Sequence, residues 1–335
     1  MSGSAPDVLV VENLRTEFRG SNGVVAAVDG VSLSVRRGEV LGLVGESGSG
    51  KSVTGFSILG LVEPPGRVVA GRVLLQGQDI LRCTEAEMRA IRGDRIAMVF
   101  QDPMTALHPL LRIGAQMIDA IQAHRRLGRR EAWVEARDAL GRVGISAPDE
   151  RMQAFPHQLS GGMRQRVAIA IAMLNHPEVI IADEPTTGLD VTIQAQILAQ
   201  VQKLAAESGT ALIWITHDLA VVSSLADRVA VMYAGGIVEQ GDVADVLDRP
   251  AHPYTAGLLA SSPSRNRAAR RLPQIPGSIA SAHAAGGCRF QPRCGYAVAA
   301  CGQYPDLQEI RSGHAARCWR IGAISLPETM EAGRG

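Results

Sequence analysis

Gly45-Glu46-Ser47-Gly48-Ser49-Gly50-Lys51-Ser52 decides the fold. It fits G-x-x-x-x-G-K-[ST], follows the apolar run Val40 to Val44 and precedes an expected helix over Val53 to Leu61. That is the strand, loop and helix context in which this spacing binds phosphate. The glycines let backbone N–H groups converge on a β-phosphate at a helix N-terminus. Lys51 then reaches the β/γ-phosphates, and the Ser52 hydroxyl suits Mg²⁺. The bland alternative is a glycine turn that happens to carry a lysine; the flanking elements weigh against it.

Outward from the loop, Val8 to Phe18 and Val24 to Val35 read as an antiparallel hairpin around Gly20-Ser21-Asn22-Gly23. Ile96 to Phe100, Val179 to Ala182, Ala211 to Thr216 and Val229 to Tyr233 are short apolar runs separated by helical stretches, the pattern of a parallel sheet with crossovers. Between Asp102 and Ser160 the strand signal vanishes. Ile113, Met117 and Ile121 recur at helical spacing, as do Trp133, Ala136, Leu140 and Val143, so an inserted helical subdomain is expected over about 104–164. Past Pro250, prolines and the basic run Arg265 to Arg271 suggest a solvated linker leading to a small appended module.

The 335 residues favour two domains at roughly 150 residues each. With 46% hydrophobic, 20% charged and 4% aromatic residues, the composition excludes a disordered or fibrous chain. A net charge of +1 gives no global attraction to nucleic acid or anionic lipid. The longest apolar run, Val167 to Leu174, is far short of the ~20 residues a membrane helix needs. The polar start Met1-Ser2-Gly3-Ser4 lacks a signal-peptide core, so a cytosolic chain with reduced cysteines is expected.

Two further patterns bear on phosphate chemistry. Val179-Ile180-Ile181-Ala182-Asp183-Glu184 puts two acids at the end of an apolar strand, the ligand-facing edge of a parallel sheet. Asp183 suits the Mg²⁺ shell and Glu184 a general base on the attacking water. Leu159-Ser160-Gly161-Gly162-Met163 opens a long apolar helix with small residues, leaving N–H groups to face an anion. Each alone could be a solvated acidic pair or an ordinary capped helix.

Together these patterns resemble the ATP-binding cassette (ABC) ATPases over about Val8 to Val246. The resemblance implies an α/β P-loop fold with a RecA-like core, an antiparallel β subdomain and the helical insertion, an ABC domain over 1–250 and an extension over 251–335. It implies a phosphate loop over Gly45 to Ser52 with Ser47, Gly48, Ser49, Gly50, Lys51 and Val53 on the nucleotide, and a glutamine loop at Gln101. It further implies a signature at Ser160, Gly161 and Gly162, the acids Asp183 and Glu184, a D-loop at Gly188-Leu189-Asp190 and a switch histidine, His217, on the γ-phosphate. Ser52, Gln101 and Asp183 are the implied Mg²⁺ ligands. Met163 stands where the generic signature has glutamine. Phe18 is either the adenine-stacking aromatic or a strand residue of the core. In this family the signature of one subunit closes over ATP held by another, so the mechanism needs two chains.

His252-Pro253-Tyr254-Thr255, Ile275-Pro276-Gly277 and Cys288-Arg289-Phe290-Gln291-Pro292-Arg293-Cys294 resemble the C-terminal extension of dipeptide/oligopeptide importer ATPases. Cys288, Cys294, Cys301 and Cys318 are separated by five, six and sixteen residues, without C-x₂-C zinc knuckles. The resemblance implies a [4Fe-4S] cluster on these four thiolates, its charge offset by Arg289, Arg293 and Arg317, with zinc as the alternative. His314 is a substitute ligand or a surface histidine, and the isolated Cys83 reads as inert.

The implied protein is an ATP-hydrolysing subunit of a peptide importer, peripheral on the cytoplasmic face of the inner or plasma membrane. Its implied partners are a second cassette, usually a paralogue, two membrane permease subunits and an extracytoplasmic peptide-binding protein, with no nucleic acid. Alternatives are an importer ATPase for nickel or glutathione, a non-transport cassette acting on DNA or ribosomes, and a metal-sensing module with incidental ATPase activity.

Overall fold

The computed structural model describes residues 6–21, 23–262, 273–279, 282 and 286–323. The basic run Arg265 to Arg271 lies outside the described residues. The chain divides into two compact units: the described residues within Met1–Leu9, Ser34–Glu39 and Leu74–Trp214, and those within Val10–Leu33, Val40–Val73 and Ile215–Gly335.

In the second unit, β1 (Asp7–Gly20) lies between β2 (Gly23–Arg36) and β4 (Gly66–Leu75). Val31, Leu33 and Val35 alternate inward along β2, the period of a half-buried strand. β3 (Val40–Val44) is buried at every residue, as expected of a strand covered on both faces. It pairs in parallel with β9 (Arg228–Tyr233), from Leu41↔Arg228 to Val44↔Val231. The helix α9 (Leu219–Leu225) approaches β3 so closely that a Cβ on Gly42 would meet Val222 at 2.7 Å. β10 (Gly236–Asp242) runs antiparallel to β9, β12 (His314–Ala316) antiparallel to β10, and β11 (Gln308–Arg311) antiparallel to β12. The extension thus adds strands to the sheet that holds the phosphate-loop strand. α1 (Lys51–Ile58), α10 (Val243–Asp248) and α11 (Pro253–Ser261) complete this unit.

In the first unit, β5 (Gln78–Asp79) closes a hairpin with the end of β4, and α2 (Glu85–Ile91) starts at a capping box between Thr84 and Glu87. β6 (Ile96–Val99) and β7 (Val179–Asp183) are parallel, in register from Ile96↔Val179 to Val99↔Ala182. Between them stand α3 (Pro103–Ala106), α4 (Ile113–Gln122), α5 (Arg129–Arg142), α6 (Pro148–Gln153) and α7 (Gly161–Met173), with no strand from Asp102 to Ser160. Ile113, Met117 and Ile121 are all buried, as their spacing predicts. On α5 the buried face runs through Ala132, Ala136 and Leu140, leaving Trp133 half-buried. α8 (Val191–Ser208) and β8 (Ala211–Thr216) follow.

Candidate functional site

The phosphate loop belongs to the second unit and turns on its glycines. A Cβ on Gly45 would sit 2.2 Å from the Met232 carbonyl, and one on Gly50 2.3 Å from that of Ala27. Gly50 caps α1 in the left-handed region at φ 104, a conformation only glycine adopts without strain. The loop closes with Ser49 N–H on the Glu46 carbonyl at 3.1 Å, and Gly235 N–H donates to Ser49 at 2.8 Å. Lys51 is buried, and its Nζ donates to the Gly45 and Glu46 carbonyls at 2.8 and 3.0 Å. An incoming phosphate offers this ammonium a stronger, charged acceptor. Ser52, half-buried in the first turn of α1, supplies a hydroxyl oxygen. Tyr254 accepts the Glu46 N–H at 2.8 Å, so that N–H is engaged within the protein rather than aimed at phosphate.

Phe18 is half-buried, with its ring against Gly66, where a Cβ would lie 2.5 Å from the ring edge. His217 is exposed just after β8. Asp218 beside it caps α9 by accepting the Ala220 N–H at 2.8 Å.

The remaining predicted residues fall in the first unit. Asp183 is buried at the end of β7, and Glu184 follows half-buried with φ 43. A left-handed backbone at a non-glycine residue costs about 1–3 kcal/mol and is found at working sites. Thr187 holds this turn, its hydroxyl donating to a Glu184 carboxylate oxygen at 2.9 Å. Gln101 is exposed just beyond β6. Ser160 caps α7, accepting the Met163 N–H at 3.3 Å, and Asp190 caps α8, accepting the Ile193 N–H at 2.9 Å. These two helix starts touch: a Cβ on Gly162 would meet Ile193 at 2.8 Å, and one on Gly161 would meet Leu189 at 3.7 Å. The signature glycines therefore permit a close approach as well as exposing N–H groups.

The oxygen donors Ser52 and Asp183 are the hard ligand type Mg²⁺ prefers. The cysteine region does not match its expectation. Among the described residues, which include all four cysteines, no group of three or more His, Cys, Asp or Glu is arranged to hold a metal ion. The expected [4Fe-4S] cluster, and zinc in its place, are corrected accordingly. Burial raises the Cys288 and Cys294 thiols, and that of Cys318 to about 11, so without a metal they stay protonated at neutral pH. The arginines assigned to offset cluster charge are occupied elsewhere. Arg289 pairs with Asp29, Arg293 with Glu46, and Arg317 donates to the Ile237 and Pro305 carbonyls. His314 is neither ligand nor surface residue: it is buried, 2.8 Å from Glu239. Cys83 is half-buried, its thiol accepting from the Gln78 side-chain amide at 3.5 Å and lying 3.9 Å from the Asp79 carbonyl.

Sequence reading missed what Tyr254 and Arg293 do. Both sit in motifs read from the sequence, yet nothing local signals that their shared partner, Glu46, lies 208 and 247 residues away.

Comparison with known proteins places these motifs among relatives. A family model described as "ABC transporter" matches residues 28–187, and one described as "Oligopeptide/dipeptide transporter, C-terminal region" matches 238–301. The "Probable peptide ABC transporter ATP-binding protein" of Sinorhizobium fredii is 50% identical, covering 95% of this chain and 96% of its own. The oligopeptide transport ATP-binding protein of Escherichia coli is 43% identical over 94% of each. These relatives are named for ATP and peptide transport alone. A solved ATP-binding cassette, dimeric in a post-hydrolysis state with ADP and phosphate, aligns with TM-score 0.64 and 28% identity over 70% of this chain and 98% of that one. No helix among the described residues is long and apolar enough to cross a membrane.

Proposed function

The chain belongs to the ABC transporter ATPases, in the branch carrying the oligopeptide/dipeptide transporter C-terminal region, and from that membership we propose that it powers import of di- and oligopeptides through a membrane permease. The observation that carries the chemistry is the phosphate loop, with buried Lys51 hung from two main-chain carbonyls at the start of α1. Such an ammonium transfers to the β/γ-phosphates at little reorganisation cost.

In this reading Gly45 and Ser47 to Val53 bind the ATP phosphates and Phe18 stacks on adenine. Ser52, Asp183 and Gln101 hold Mg²⁺, which when bound neutralises phosphate charge. Glu184 takes the proton of the attacking water, its carboxylate steadied by the Thr187 hydroxyl. His217 contacts the γ-phosphate. Ser160, Gly161 and Gly162, with Asp190, serve the ATP bound by a second cassette. The γ-phosphate then engages both helix N-termini only while the triphosphate is intact, so hydrolysis opens the pair. The second cassette is a paralogue, the partners include two permease subunits and an extracytoplasmic peptide-binding protein, and the chain sits on the cytoplasmic face of the membrane. Residues 1–250 form the cassette, with a helical part over about 104–164, and 251–335 the extension.

Reconstituting the chain with its permease subunits and partner cassette in liposomes tests this. Peptide-loaded binding protein is expected to stimulate ATP hydrolysis and drive peptide uptake. Hydrolysis indifferent to peptide but stimulated by nucleic acid or ribosomes overturns it.

A further inference from the structure

Glu46 is the one residue of the phosphate loop with an acidic side chain, and it stands beside a site built for polyphosphate. An uncompensated carboxylate there repels the ligand. The second unit answers it with Arg293, whose side chain is 3% exposed while that of Glu46 is 29% exposed. Arg293 Nη1 donates to Glu46 Oε2 at 2.7 Å and Nη2 to Oε1 at 3.0 Å, a two-pronged pairing that fixes direction as well as charge. The guanidinium is itself clamped. Its Nε donates to the Pro276 carbonyl at 2.7 Å, Nη2 reaches the Ile275 carbonyl at 3.4 Å, and Nη1 reaches the Tyr233 hydroxyl at 3.4 Å. Each of its five N–H groups therefore has an assigned acceptor.

The main chain of Glu46 is gripped at the same time. Tyr254 takes its N–H at 2.8 Å, and its carbonyl holds Lys51 Nζ at 3.0 Å. Tyr233, Tyr254 and Phe290 pack around this anchor, with ring centroids 4.6 to 5.5 Å apart. Ile279 of the following segment faces the loop, 3.6 Å from where a Gly48 Cβ would stand. The chain of contact runs from the extension through Glu46 to the lysine.

Resting on the ATPase reading above, we propose that Arg293 is a positioning residue for nucleotide binding: by neutralising and orienting Glu46, with Tyr254 on its N–H, the extension presets the phosphate loop and Lys51 for ATP. Two consequences separate this from simple packing. Removing the arginine weakens ATP binding through the charge of Glu46, so removing that charge as well restores binding. And the effect falls on KM for ATP far more than on kcat, because Arg293 acts through the loop and not on the reacting water.

The test uses the full-length chain assembled with its transporter partners and measures Mg·ATP affinity, KM, kcat and thermal melting for wild type, R293M, R293K and the E46Q/R293M double variant. R293M is expected to raise KM for ATP about tenfold with kcat within about threefold, and R293K to give a smaller rise, since it keeps charge but loses the fork. E46Q/R293M is expected to bring KM back to within about threefold of wild type. A folded R293M with unchanged KM overturns the proposal, as does a double variant as impaired as R293M, which assigns the arginine to packing alone. Should R293M melt out, R293K against the double variant decides: the double variant binding ATP no better than R293K counts against it. If wild type neither binds nor hydrolyses Mg·ATP, the ATPase reading itself fails; if wild type turns over normally, only the role of Arg293 is at stake.

Discussion

The phosphate loop and the carboxy-terminal extension meet at Glu46 and Arg293, and the two regions hold their polar groups in opposite ways. In the loop, Gly45, Gly48 and Gly50 keep the backbone bare, and Lys51 is held by main-chain carbonyls that a phosphate can outcompete. Around β10 and the extension paired with it, the polar groups are committed to the fold. Glu239, wholly buried, accepts the Ala251 and His252 N–H groups at 2.7 and 3.0 Å and lies 2.8 Å from His314 Nε2. Residue types rich in chemical potential occur in both regions. What separates a site from a scaffold is whether the partner is exchangeable.

The largest expected effect tests the reactive end. E184Q should lower ATP turnover by ~10²–10⁴, the usual worth of a general base, while Mg·ATP still binds; near-normal hydrolysis would remove Glu184 from that role. Next, E239A strikes the committed end. It strips an acceptor from two buried main-chain N–H groups and from His314, a loss on the order of 3 kcal/mol, seen as a lower melting temperature. ATP turnover per folded molecule should persist, and its selective loss in a variant of unchanged stability would erase the contrast.

His252 is buried, and desolvation lowers its pKa from 6.5 to about 3. Its Nδ1 accepts the Tyr254 N–H at 3.0 Å, so protonation also breaks the cap of α11. The unfolded chain binds this proton below about pH 6.5 and the folded chain resists it to about 3. Stability from this group is therefore complete above pH 6.5 and declines as pH falls toward 3, with a slope up to about 1.4 kcal/mol per pH unit. H252N keeps a capping oxygen and should flatten the dependence of melting on pH over that window. An unaltered slope would assign the acid sensitivity to another group.

The sequence carried the loop, β3, β6 to β9 and the helical insertion because each rests on local rules: glycine sterics, apolar runs bounded by turns, and helical spacing. It also put Asp183 and Glu184 at a strand end, which is where β7 stops. It did not carry β10, which returns along β9 as a hairpin, or the short β11 and β12, which pair with each other and join the sheet only where β12 meets β10. Nor did it carry the fates of Arg289, Arg293 and Arg317, which sit next to cysteines in the chain but are bound to Asp29, Glu46 and main-chain carbonyls in space. The cysteines themselves misled because spacing along the chain constrains which residues can converge and leaves open whether they do.

The smallest expected effect falls on those thiols, and it is the sharpest statement of the contrast. Cys288 and Cys294 pack as partly buried apolar groups against the core that holds Tyr233, Tyr254 and Phe290, a role in which a cysteine acts as a small hydrophobe. Burial raises both thiols, so at neutral pH they stay protonated and unreactive. C294S should then cost no more than about 1 kcal/mol and leave ATP turnover intact, and the purified chain should contain no stoichiometric iron or zinc. Arg293, the adjacent residue, behaves otherwise: its substitution reaches the nucleotide through Glu46. Two neighbours in one motif thus differ in consequence because one side chain ends in a hydrophobic core and the other ends on the phosphate loop.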